Sequence, residues 1–198
     1  MVDAKANENV VKLDDVRLTF PALFVAKPNQ NGKLKYQGSF IFPPIHPAVA
    51  IIKAAMAKVA KEKWGDKAEE VYKGLKASDR LVLHDGDAKS QFGGYAGNIY
   101  VNASSETRPL VIDGNKAPLT ATDGKPYSGC YVNARVQIWA QDNPQFGKRI
   151  NASLMGVQFL RDGERLAGSA VARAEDFEAI PDAPGAAAAG AGAGSVFD

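Results

Sequence analysis

From Gly129 to Gln141 the residues alternate with the period of two that a strand imposes. GCYVNARVQIWAQ puts Cys130, Val132, Ala134, Val136, Ile138 and Ala140 on one face and Tyr131, Asn133, Arg135, Gln137, Trp139 and Gln141 on the other, because successive strand side chains point to opposite sides. The first face is a core face. The second is predicted to meet water, yet it carries two large aromatics with an arginine between them. GNIYVNAS divides likewise, Ile99, Val101 and Ala103 against Asn98, Tyr100 and Asn102. Nearer the start, Val16, Leu18 and Phe20 are predicted to point inward, leaving Arg17 and Thr19 outward. Lys35, Gln37 and Ser39 form the polar side of the next strand.

The same reading predicts strands at Val16 to Phe20, Lys35 to Phe42, Arg80 to Leu83, Gly97 to Ala103, Leu110 to Ile112, Gly129 to Gln141 and Arg149 to Phe159. Turn dipeptides punctuate them at Asn31-Gly32, Asp85-Gly86, Asp113-Gly114, Asp123-Gly124 and Asp162-Gly163. One segment keeps a different period. After Pro47, Val49, Ile52, Met56 and Val59 recur at spacings of three and four, the mark of a helix. Gly65 breaks it, and Asp66 is placed to cap a second short helix carrying Ala68, Val71, Tyr72 and Leu75, with Glu69 three positions on. Residues 46–77 thus read as a helical insert. Short strands, one helical unit and no βαβ alternation predict a mainly β fold, an OB-fold-like antiparallel barrel.

Composition refines the boundaries. At 198 residues, with 45% hydrophobic and 23% charged side chains, the chain has the profile of a soluble globular protein. It holds no run of the roughly 20 apolar residues that span a bilayer. Met1 to Leu13 mixes Asp3, Lys5, Glu8 and Lys12, unlike a secretory signal. Cys130, the single cysteine, leaves no intramolecular disulfide and points to a reducing compartment, the cytoplasm. Ala183 to Ser195, APGAAAAGAGAGS, offers no apolar face to bury. The expected division is a folded domain over 1–170 and a disordered acidic tail over 171–198. Charge follows that division: residues 1–166 hold 23 basic and 17 acidic side chains, net +6, and residues 167–198 one basic and five acidic, net −4.

A basic body with aromatics on an open sheet face suits a single-stranded nucleic acid. Bases stack on aromatic rings, and cations follow the phosphates without reading sequence. The expected contacts are Tyr100, Tyr131 and Trp139 for bases, and Arg17, Lys35, Arg135, Lys148 and Arg149 for phosphates. Phe146 joins Lys148 and Arg149 in a predicted loop, QDNPQFGKR, at the rim of the sheet. Phe92 and Tyr95, in the Gly-rich QFGGYAGN, are further stacking candidates, while Phe20, Phe24, Phe40 and Phe42 read as core. The bland alternative is that the outward aromatics pack across strands or lie under the insert. Lys53, Lys58, Lys61, Lys63 and Lys67 read as the solvated face of that insert.

Other chemistries find less support. His84, Asp85 and Asp87 cluster, but Asp85-Gly86 is a turn former, and no CxxC pair provides thiolates for zinc. QFGGYAGN lacks the Lys-Ser/Thr ending of a phosphate-binding loop. No catalytic constellation, metal or cofactor is expected. Two alternatives stay open: a metal-dependent nuclease using Asp85 and Asp87, and an interaction protein using the aromatic face. DNA against RNA, and self-association, also stay open.

RLTFPALF (Arg17 to Phe24), KYQGSFIFPP (Lys35 to Pro44), YSGCYVNARVQIWA (Tyr127 to Ala140) and FGKRINASLMGVQFLRDGERL (Phe146 to Leu166) resemble, in order, the single-stranded-DNA-binding proteins of tailed phages and prophages. The helical insert falls where that family has one. The resemblance implies an OB-like fold, binding of single-stranded DNA without marked sequence preference in phage replication, and residence in the host cytoplasm. It also implies an acidic C-terminal tail with an aromatic or apolar tip that recruits replication proteins and competes with DNA. Two patches match such a tip: Asp176 and Phe177 within EDFEAIPD, and the terminal Phe197 and Asp198.

Overall fold

The computed structural model describes residues 9–29 and 31–166; the predicted tail residues Asp176, Phe177, Phe197 and Asp198 lie outside them. Seven strands form one sheet: β1 Val10–Pro28, β2 Leu34–Phe42, β3 Leu83–Asp85, β4 Ile99–Ser105, β5 Leu110–Ile112, β6 Tyr131–Asn143 and β7 Gly147–Arg161. Their order across the sheet is β3-β4-β2-β1-β6-β7-β5. Every pairing is antiparallel except β5 on β7. The sheet curls until β4 approaches β7, and the Ile150 N–H of β7 donates to the Arg80 carbonyl, in the segment before β3, at 3.1 Å. The mainly β, barrel-like class is the one predicted.

The inward row of β6 is buried as its alternation requires: Cys130 just before it, then Val132, Ala134, Val136 and Ile138. It packs with Val11, Leu13, Val16, Leu18 and Phe40 from β1 and β2. The insert forms α1 Ala48–Trp64 and α2 Ala68–Ala77, joined by a short 3-10 turn at Gly65–Lys67. Ile52, Met56 and Val59 of α1 enter the same core. The helices therefore close the inside of the barrel and leave the outward row of β6 uncovered. Asp66 does not cap α2: the N-cap is Lys67, without a side-chain hydrogen bond, and Glu69 instead pairs with Lys73 at 2.7 Å. Among the described residues no helix is long and apolar enough to cross a membrane.

One predicted orientation reverses in β1. Phe20 is 41% exposed, because the register against β2 slips after Thr19 and Phe20 adopts φ +48°. An irregularity of one residue exchanges the two faces. Thr19 keeps its outward place opposite Ser39 and is buried because the 86–98 segment covers it, its Oγ1 2.9 Å from the Tyr95 hydroxyl.

Burial pushes the Cys130 thiol above its ordinary value, since a thiolate there would lose its hydration. The folded protein is expected to resist a thiol reagent at pH 8 and to react fully once unfolded in guanidinium; rapid labelling of the native protein would contradict the burial.

Candidate nucleic-acid interface

Where β4 and β7 converge, their outward faces and the end of β6 enclose a groove of about 650 Å³. Its walls follow from alternation. Tyr100, Asn102 and Ser104 come from β4, Arg149, Asn151 and Ser153 from β7, and Trp139 and Gln141 from β6. Pairing of Trp139 with Asn151 and of Gln141 with Arg149 brings the last two rows side by side. Lys35, at the start of β2, completes one end. Trp139 is 41% exposed, so its ring is free to take a partner. The rest of the lining combines amides and hydroxyls with the cations Lys35 and Arg149 and two carboxylates already engaged elsewhere, Asp79 with His84 and Glu106 with Lys33 at 2.6 Å. Such a groove supplies a stacking surface, hydrogen-bond donors and acceptors, and two cations for phosphates.

Of the nine predicted contact residues, Lys35, Tyr100, Trp139 and Arg149 line this groove. Tyr100, however, is only 5% exposed. The 86–98 loop folds over it: Tyr95 meets its ring edge-on at 5.1 Å, His84 stacks on it at 5.0 Å, and the Lys89 ammonium sits 4.5 Å from its centroid. Burial raises the Tyr100 hydroxyl pKa and lowers that of the Lys89 ammonium. Tyr100 is thus a wall of the groove, not an open platform. Tyr95, a candidate for stacking, is fully buried beside it.

Tyr131 lies at the far end of β6, and its ring is occupied. The Arg161 guanidinium sits 3.5 Å from its centroid and bonds Asp15 at 2.8 Å. Arg17 is engaged as well, donating to the Gly129 carbonyl at 3.2 Å and the Glu164 carbonyl at 2.9 Å. These bonds hold the 162–166 segment against the entry to β6. Arg17→Ala is accordingly expected to cost about 1–3 kcal/mol of stability while the salt dependence of DNA binding stays as in the wild type; thermal melts and salt titrations separate the two effects.

Lys148 and Arg149 belong to β7, not to a loop, and alternation sends them to opposite faces. Arg149 enters the groove, whereas Lys148 lies 4.0 Å from Asp142, which also accepts from the Trp64 indole at 3.1 Å. Phe146, half exposed at the hairpin tip, stands apart from the groove lining. Arg135 is exposed on the row of Trp139 but further along β6. Sequence reasoning missed Asn151, Ser153 and His84 as groove residues; alternation through β7 would have found the first two. His84 instead bonds Asp79 at 2.8 Å, and Asp85 and Asp87 accept backbone N–H groups of Asp87 and Gly97, the turn chemistry read from Asp85-Gly86.

Residues 9–187 match the family described as Enterobacter phage Enc34, ssDNA-binding protein. The chain belongs to that family. A relative from Acyrthosiphon pisum secondary endosymbiont phage 1, "Putative protein p50", is 48% identical over 174 residues, covering 85% of this chain and 92% of that one. The fold is similar to the single-stranded DNA-binding protein from bacteriophage Enc34 solved in complex with ssDNA, with TM-score 0.68, 23% identity, and coverage of 81% of this chain and 91% of that one. Another structure of the Enc34 protein gives TM-score 0.66 and 26% identity, covering 84% and 88% of the two chains. The family's description is that of a binding protein, not an enzyme.

Proposed function

We propose that this protein binds single-stranded DNA without sequence preference and protects it during phage DNA replication and recombination in the host cytoplasm. The observation that carries the reading is the groove at the β4–β7 seam, which the half-exposed Trp139 ring lines together with Lys35 and Arg149. Family membership supports it independently. Trp139 stacks a base, Lys35 and Arg149 hold phosphates, and Arg135 extends the positive track along β6. Tyr131 and Arg17 support the fold beside it, and Phe146 with Lys148 flank the hairpin at its rim. Residues 171–198 act as an acidic tail, with Asp176 and Phe177 or Phe197 and Asp198 as the tip that recruits replication proteins.

Titration with oligo-dT, followed by tryptophan fluorescence in a Trp64→Phe background, tests the reading. Quenching is expected, with affinity falling steeply as salt rises, and duplex competitors are expected to displace the oligonucleotide poorly. No quenching and no gel shift at low salt would remove the function. Deleting residues 174–198 is expected to tighten binding, because the tail's net negative charge then no longer competes for the cations that hold phosphates; equal affinity with and without those residues would refute that role.

A further inference from the structure

The outward row of β6 does not stop at the groove. From Trp139 it continues through Gln137, paired with Ser153 on β7, to Arg135, a distance of about 13 Å for four strand residues. At Arg135 the register against β7 slips, and the residue opposite is Gly156, whose lack of a side chain lets Leu110 of β5 lie close, its carbonyl oxygen 3.2 Å from where a Cβ would stand. A second concavity of about 240 Å³ opens there. Its rim carries three cations: Arg135, Lys12 opposite it on β1, and Lys116 from the turn after β5. Its floor is Leu110, Ile112 and Gly156, with Leu110 62% exposed. Lys12 is partly neutralised by Asp14 at 3.0 Å; among the described residues Arg135 and Lys116 have no ion pair.

We propose that this concavity is a second nucleotide-binding subsite, reached by the same strand after it leaves the groove past Trp139. The inference rests on the single-stranded DNA reading above and deepens it. A phosphate fits the Lys12–Lys116–Arg135 rim, and a base lies flat on the Leu110–Ile112 floor. Continuity favours a nucleic acid over an acidic peptide, since the site is the next step along one row of strand side chains. The track also has an end. Beyond Arg135, Asp15 projects from the β1 irregularity and Arg161 covers the Tyr131 ring, so neither free positive charge nor an open aromatic face continues toward Tyr131.

The test is a Lys12→Gln/Lys116→Gln double variant, since neither residue lines the groove. Its affinity for labelled oligo-dT is measured by anisotropy over lengths of roughly 4–16 nucleotides, the span covered by one such barrel. The shortest oligonucleotides that bind are expected to bind the variant as they bind the wild type. The gain in affinity on lengthening is expected to shrink or vanish. On long oligonucleotides the slope of log affinity against log salt is expected to flatten by about 1.4, from roughly 0.7 for each of two lost phosphate contacts. A variant with the wild-type length dependence and slope overturns the subsite. Unchanged DNA binding together with lost capture of a Phe-containing acidic peptide overturns it in favour of protein docking. A wild type that binds no length of oligo-dT removes the function itself, a distinct outcome, because then there is no length dependence to lose.

Discussion

Trp139→Ala weakens oligo-dT binding by about 1–3 kcal/mol, the usual worth of one base–aromatic stack, or roughly 5- to 150-fold in Kd. The indole is half exposed on the outward row of β6, and its strand neighbours Ile138 and Ala140 keep the core side intact. Truncation is therefore expected to leave the melting temperature nearly unchanged, so that lost affinity reads as lost stacking. Trp139→Phe should recover most of the binding, because a phenyl ring still offers a π-face. In the Trp64→Phe background the fluorescence response belongs to Trp139 alone, since the sequence has two tryptophans. An alanine variant that binds oligo-dT as tightly as the wild type would take the base-stacking role away from this groove.

Gly129→Ala carries the largest expected cost in stability. Gly129 adopts φ +106°, and a Cβ there would run into the Glu164 carbonyl and the Leu166 nitrogen. The same position ties three segments together. Its N–H donates to the Leu18 carbonyl at 2.7 Å, its carbonyl accepts from Arg17, and next to it the Leu166 N–H donates to the Ser128 carbonyl at 3.0 Å. Backbone strain of about 1–3 kcal/mol adds to loosened hydrogen bonds of about 1 kcal/mol each. The sum over the three bonds is about 4–6 kcal/mol, or a drop in melting temperature of roughly 8–24 °C for a chain of this size. Gly124→Ala serves as the control, for it too has positive φ, at +64°, but nothing stands within 4 Å of its added Cβ. Equal melting temperatures for the two variants would mean that the 162–166 segment yields without cost.

Much of the site was legible because a strand's period is local. The alternation of GCYVNARVQIWAQ assigned the buried row and the outward row of β6 correctly, and the three-and-four spacing after Pro47 located the helices and their buried stripe. Phe20 was misassigned because a slip in pairing, invisible in residue order, swaps the faces at that point, whereas Thr19 keeps its outward place and is buried under Tyr95. Lys148 and Arg149 were read as loop residues because strand ends depend on the hairpin register, which puts Lys148 opposite Asp142 and Arg149 opposite Gln141.

Sequence by itself determined which side chains leave the core, since hydrophobic patterning at a fixed period is a property of neighbours along the chain. It thereby established the mainly β class, the insert, and the exposure of Trp139 and Arg135. Only the tertiary structure decided which outward side chains remain open. Tyr100 is roofed by a loop, Tyr131 by Arg161, and Arg17 is spent on carbonyls of a segment more than a hundred residues away. The groove likewise exists because β4 and β7, distant in the chain, converge when the sheet curls. Covering and convergence are contacts between remote segments, and a local pattern carries no record of them.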